Sequence, residues 1–314
     1  MSELVVQETR FIPPSTASLL DEFLRGRKPT TRRAYLGDLQ YFAEYIGARS
    51  AEEAARLFLE RSRGEANAVV LSYRNYMVEK GLASNTTNRR LAAIRSLVRM
   101  ARMVDLVPWS IDVQNVKAKA YRDTSGPGLP AVQKMITAAG KGKNKHKALR
   151  DVAMLRLMAD CGLRRAEVLG LDVCDYDTAG KVRILGKGRS EKEWVSLPGF
   201  VHDALSAWLG ARGITPGPLF TNFDRAGRSG RLTGSALYSI VKKYGTAAGV
   251  DTRPHGLRHA AITSALDAFN GDVRKVAAFS RHSDLRVLTR YDDNRHDFAG
   301  EVAAVVSLKN GRCA

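Results

Sequence analysis

Between His255 and Tyr291 the sequence gathers side chains that can do chemistry. The run His255-Gly-Leu-Arg258-His259 opens this segment, a helical pattern follows, and Tyr291 lies nine positions after His282. Upstream, Cys161-Gly-Leu-Arg164-Arg165-Ala-Glu167 offers a second arginine, and the turn Gly186-Lys187-Gly188 offers a lysine. Together they supply a nucleophile, a proton acceptor, a proton donor and cations for an oxyanion, a set that suits phosphoryl transfer on a nucleic-acid backbone. Each residue also has a plainer reading. A lone tyrosine is more often a half-buried packing residue, and Arg164-Arg165 alone would be a solvated helix start. His255 and His259 have the i, i+4 spacing of zinc ligands. However, no Glu follows His255 as a metalloprotease pattern requires, and Arg258 between them would repel a cation. His259 is therefore read as structural or supporting, and no metal site is expected.

These groups depend on elements that can hold them. Residues 1–14 read as a lead-in closed by Pro13-Pro14. Residues 15–105 read as an all-helical DNA-binding module of five helices. The first carries Leu19, Leu20, Phe23 and Leu24 on one face, and the second carries Tyr35, Leu39, Phe42 and Ile46 with Gly47 as its stop. The third covers roughly 51–61 and the fourth roughly 66–80. The fifth opens at Ser84 and turns Leu91, Ile94, Leu97, Val98 and Ala101 inward, with its arginines mainly elsewhere. Its short polar residues and arginines suit phosphates and base edges, so Asn85, Thr87, Arg89, Arg90 and Arg95 are the candidate DNA contacts. Solvation of one helix face is the plainer alternative. Pro108, Gly126-Pro127-Gly128 and Pro130 mark 106–130 as a basic linker.

Residues 131–314 read as a catalytic domain that mixes helices with short strands. An apolar helix is expected over 148–160, and a further helix opens at Arg164. Strands at 182–185 and 193–197 form a small antiparallel sheet with Lys187 in their connection. The last apolar stripe, Val302, Ala303, Val305, Val306 and Leu308, suits docking on a neighbouring subunit or packing on its own domain.

Charge narrows the partner. Fifty Lys and Arg against 32 Asp and Glu give a net charge of +18 and a pI near 10.1. Solubility alone needs only about 2–8 net charges on a small domain, so a polyanion is the favoured partner. The arginines are scattered through both halves rather than gathered on one amphipathic helix, which disfavours a membrane surface. No apolar run approaches the ~20 residues of a bilayer span, and no secretory signal is visible at the N-terminus. Three cysteines without metal-type spacing read as reduced thiols. The expected location is cytoplasmic, with the nucleoid as the site of action.

At this point a family resemblance emerges. Arg164 in Gly-Leu-Arg-x-x-Glu, Lys187 in a hairpin turn, His255-x-x-Arg258, His282 and Tyr291 stand in the order and spacing of the tyrosine recombinases, also called the phage integrase family. The run Asn88-Arg89-Arg90-Leu91-Ala92-Ala93-Ile94-Arg95-Ser96 is similar to the corresponding helix of many members. The resemblance extends from about residue 15 onward. It implies a mainly α fold in two domains: a helical SAM-like core-binding domain, then a mixed α+β catalytic domain with a small antiparallel sheet. It implies site-specific recombination of double-stranded DNA through a 3′-phosphotyrosyl intermediate, without metal, ATP or other cofactor, in a homotetramer on synapsed sites. Directionality or accessory proteins are possible partners.

The implied roles fit the residue types. Arg164 and Arg258 grip nonbridging oxygens with forked hydrogen bonds. Tyr291 attacks, His255 takes its proton, Lys187 protonates the departing 5′ oxygen, and His282 donates to the phosphate. Glu167 orients a neighbouring base or arginine. One departure stands out. The family usually has Gly before the second histidine, whereas here the run is Phe279-Ser280-Arg281-His282. Arg281 is expected either to touch DNA or to point to solvent. The alternatives to recombination are relaxation of supercoils in the manner of a type IB topoisomerase, and a non-catalytic DNA-binding relative.

Overall fold

A computed structural model describes residues 16–117, 126–223, 230–282, 285, 288, 300 and 303–307. Two compact units divide the chain between Ala120 and Tyr121. Among the described residues no helix is long and apolar enough to cross a membrane.

The first unit holds α1 (Thr16–Arg25), α2 (Pro29–Ile46), α3 (Ala51–Leu59), α4 (Arg63–Glu79) and α5 (Ser84–Met103). Local chemistry sets their ends. Gly47 closes α2 in the left-handed region at φ 76°. The Ser50 hydroxyl accepts from the Glu53 N–H at 3.2 Å to start α3. Ser62 and Glu65 form a reciprocal capping box, which starts α4 at Arg63, three residues earlier than apolar periodicity suggested. The third helix likewise stops at Leu59 rather than 61. Phe42 meets Phe58 and Tyr73 edge-on, at 5.2 and 5.1 Å between centroids. The inward face of α5 is the one its periodicity predicts, from Leu91 to Ala101.

The tract read as a linker from 106 is not a tether at its start. Val107, Trp109 and Ile111 are buried in the core of this unit, and Trp109 sets its edge against Phe58 at 5.9 Å. Residues 113–117 then run back along α5. The Asn88 amide donates to Val116 O at 2.9 Å and accepts from its N–H at 2.8 Å. Arg95 reaches Asn115 Oδ1 at 2.9 Å and the Val113 carbonyl. This strap is part of the fold, so Trp109→Ala is expected to destabilise the first unit by about 3–5 kcal/mol, the usual cost of deleting a buried aromatic. Urea denaturation followed by circular dichroism measures it, and a loss under about 1 kcal/mol would return the segment to the status of a tether.

The second unit holds α6 (Leu129–Gly140), α7 (Lys145–Ala159), α8 (Arg165–Leu169), β1 (Tyr176–Asp177), β2 (Lys181–Leu185), β3 (Lys192–Ser196), α9 (Gly199–Arg212), α10 (Gly234–Ala247), α11 (Pro254–Ala268) and α12 (Val273–Ser280). The central helix α7 packs on α6, α8, α9 and α11. Its buried carboxylate, Asp151, is fully matched: Arg150 donates to Oδ1 at 2.7 and 2.9 Å and the Tyr244 hydroxyl to Oδ2 at 2.9 Å. Trp208 of α9 stacks on Phe220 and donates its indole N–H to Leu219 O at 2.9 Å.

The sheet is antiparallel in the order β1-β2-β3, with Val182 opposite Val195 and Leu185 opposite Lys192. Val182 and Ile184 point inward, so the β2–β3 turn is thrown out to solvent. Beneath it lies Asp175, wholly buried, which accepts from the Asp172 N–H at 3.0 Å and from Lys192 at 2.5 Å. It pins the root of the hairpin whose turn carries Lys187. The two-residue β1 was not expected from sequence. The architecture is thus mainly helical with a small antiparallel sheet in the second unit, as expected.

Candidate active site

Four of the six predicted catalytic residues, Arg164, His255, Arg258 and His282, come together in the second unit, with Glu167 beside Arg164. Leu163 and Val168, both fully buried, fix the start of α8, where Arg164 stands as the residue before the first turn. Glu167 closes that turn. It accepts the Arg164 backbone N–H at 2.7 Å on Oε2 and the Arg164 Nη1 at 2.7 Å on Oε1. Burial would raise the pKa of Glu167, but the hydrogen bonds from Arg164 and the charges of Arg281 and Arg164 bring it below the usual carboxylate range. Glu167 is therefore an anion that orients Arg164.

Pro254 starts α11 and places His255 on the first turn, exposed, with Arg258 one turn later and only 1% exposed. Arg258 ties three chain segments. It donates to Gly162 O before α8, to Ser280 O at the end of α12 at 2.5 Å, and lies 3.4 Å from His282 Nε2. His282 Nδ1 is 2.8 Å from the Ser280 hydroxyl. A hydroxyl donates or accepts as required, so Ser280 serves either tautomer of the imidazole.

Partial removal from water and the neighbouring guanidiniums favour the neutral form of both histidines. Removal from water, then the guanidiniums of Arg258 and Arg164, lowers His255 below its ordinary value. The same effects, with Arg281 and His255 added, push His282 down to about 4. A neutral His255 can accept a proton, and a neutral His282 can still donate one N–H. His255 and His259 meet edge to face at 4.2 Å between centroids. Among the described residues no three His, Cys, Asp or Glu side chains converge as a metal site would need.

Lys187 stands exposed in the β2–β3 turn, whose Gly188 takes φ 87°. No interaction among the described residues joins it to the other four. Tyr291 lies outside the described residues. Of the tail stripe, Ala303, Val305 and Val306 are helical and exposed, the two valines by 54% and 50%; Val302 and Leu308 lie outside the described residues.

Two expectations need correction. Arg281 points neither to DNA nor to solvent: its side chain is 10% exposed and donates to Glu167 Oε2 at 3.2 Å. Thr87 is fully buried in the first unit and cannot meet DNA from that position. Its fellow candidates on α5 divide. Asn85 is exposed. Arg89 is half-exposed and pairs with buried Asp38 at 2.5 Å. Arg90 lies mostly buried over the Tyr41 ring at 3.4 Å, and Arg95 holds the strap.

Comparison with known proteins places this arrangement. Residues 131–297 match the model of the phage integrase family. A tyrosine recombinase of Synechocystis sp. is 41% identical over 298 residues, covering 92% of this chain and 95% of the relative. A tyrosine recombinase of Synechococcus elongatus is 38% identical over 306 residues, covering 95% of each. Among solved structures the fold is similar to a XerH site-specific recombinase bound to a difH substrate in a pre-cleavage complex, with TM-score 0.65 and 21% identity over 93% of this chain and 84% of that chain. A lambda integrase dimer bound to a core site gives TM-score 0.63 and 15% identity over 88% of this chain and 95% of that chain. With more than half its length inside the family model and relatives well above 30% identity along nearly all of it, the chain belongs to the phage integrase family of tyrosine recombinases, the enzymes that break and rejoin DNA strands.

Proposed function

We propose that this protein is a site-specific recombinase that cleaves and rejoins double-stranded DNA through a 3′-phosphotyrosyl intermediate. The convergence of Arg164, His255, Arg258 and His282 in one cationic cluster carries the reading. Tyr291 Oη attacks phosphorus as its proton passes to His255. The P–O5′ bond breaks, and the departing oxygen takes a proton from Lys187. Arg164 and Arg258 neutralise the nonbridging oxygens as charge builds on them, with His282 as a further donor. The diester is exchanged for a phosphotyrosyl ester, so its energy is retained and rejoining by a second 5′ hydroxyl needs no ATP.

Net charge +18 supports duplex DNA as the partner, as do the DNA-bound XerH and lambda integrase folds. Asn85 and Arg89 are the candidate α5 contacts that retain exposure. The exposed Val305 and Val306 support docking of the tail on a neighbouring copy, within a homotetramer on paired sites.

The test is covalent capture. The protein is incubated with host genomic DNA, denatured, and the attached DNA recovered and sequenced. A recurrent site joined to protein through a 3′ phosphate is expected. DNA that is bound at a defined site yet never covalently attached would leave only a non-catalytic binder. The pH dependence follows from the histidines. His255 acts as a base only when neutral, and its value is lowered, so cleavage should hold through neutrality and fall with its acid limb below pH 6.5, the ordinary histidine value. Single-turnover cleavage across pH measures this, and an acid limb above 6.5 would exclude His255 as the base.

A further inference from the structure

The residue before His282 has a task of its own. Among the described residues Arg281 is one of three non-glycine residues with positive φ, at φ 56° and ψ 44°, where a Cβ is disfavoured and glycine is at ease. The chain nonetheless places there a long cation, and folds it inward. Its Nη1 donates to Phe279 O at 3.0 Å, and its Nη2 reaches Glu167 Oε2 at 3.2 Å and lies 3.4 Å from Gly162 O. Gly162 O is also an acceptor for Arg258, and Glu167 is the acceptor for Arg164. Arg281 therefore joins the turn that carries His282 to the segment that carries Arg164.

The geometry points to Arg281 as a positioning residue for DNA cleavage: by sharing Glu167 with Arg164 it leaves the rest of the Arg164 guanidinium for the substrate phosphate, and it fixes the His282 turn. This rests on the cleavage reading above. The physical reason is competition. Glu167 is nearly buried, with 1% of its side chain exposed; besides the Arg164 backbone N–H it takes only one Arg164 guanidinium nitrogen, Nη1. Among the described residues the other Arg164 guanidinium nitrogens donate to no protein group. Without Arg281, a buried carboxylate with a single cationic partner would draw Arg164 into a two-pronged grip. The Arg164 guanidinium would then be committed to Glu167 rather than to a phosphate. Arg281 itself is too enclosed to bind DNA.

Arg281→Gly separates the side chain from the backbone, because glycine adopts the same turn without strain. On a nicked duplex carrying the captured site, single-turnover cleavage at saturating DNA should fall about tenfold or more, while affinity stays within about twofold. Arg281→Lys, which keeps charge but not the fork, should fall between. In a Glu167→Gln background the further loss on Arg281→Gly should shrink to about twofold, since the shared partner is already altered. A second arm needs no DNA. Among the described residues the charged and titratable groups facing His282 are Arg258, Arg164, Arg281 and His255. Losing one of these cations should raise the His282 titration midpoint from about 4 in an NMR titration of the free protein. Wild-type cleavage by Arg281→Gly, an affinity loss equal to its rate loss, or an unmoved His282 midpoint would each overturn the proposal. Should the wild type capture no DNA at all, the cleavage reading fails, and the His282 titration still decides whether Arg281 belongs to the cluster.

Discussion

Tyr291→Phe is expected to abolish covalent capture of DNA, by about 10⁴-fold or more, while leaving affinity for the site unchanged. Phenylalanine keeps the ring and removes only the oxygen that would bond to phosphorus. A phenol has a reference pKa near 10, so attack at neutral pH depends on a base and on cations that stabilise the anion. In the proposed mechanism those cations are Arg164 and Arg258, and the base is His255. None of the three is altered by the substitution, so phosphate binding persists. The measurement pairs a denaturing gel for the adduct with a mobility shift for affinity. An adduct formed by the Phe variant would mean that another residue is the nucleophile.

Arg258→Lys is expected to slow cleavage by about 10²–10³-fold, the usual cost of losing one preorganised donor to a developing oxyanion. Lysine keeps the charge but offers a point in place of a planar fork. Arg258 is almost wholly buried and already serves Gly162 O and Ser280 O. One ammonium cannot hold both carbonyls and still reach a phosphate. Stability should also fall, because a buried carbonyl left without its donor costs about 1–3 kcal/mol. A thermal melt separates the two losses: cleavage is compared at a temperature where both proteins are folded. A rate within tenfold of wild type would remove Arg258 from the phosphate-binding role.

Much of this arrangement was legible from spacing. His255 and Arg258 could be placed together because i, i+3 on one helix is a local relation, and the apolar face of α5 followed from helical period. Thr87 shares that face with Leu91, Ile94 and Val98, so its burial was available to the same periodicity; its polar type drew it toward DNA instead. Val107, Trp109 and Ile111 alternate with exposed or half-exposed Pro108, Ser110 and Asp112, a two-residue period that marks a half-buried extended segment, masked by the prolines and charges around it. Arg281 was beyond such reasoning. Its partner Glu167 lies 114 positions away, and nothing local tells which way a long side chain turns. Tyr291 is known only from its place in the pattern.

The strap has a practical bearing on retargeting. Anyone exchanging the first unit of this protein for that of a relative would be tempted to cut at Met103, where its last helix ends. Such a graft would strand Val107, Trp109 and Ile111 against a foreign surface and leave residues 113–116 without the Asn88 and Arg95 that grip them. The seam belongs after Lys117, so that the helices and the ribbon laced to them travel as a single cassette.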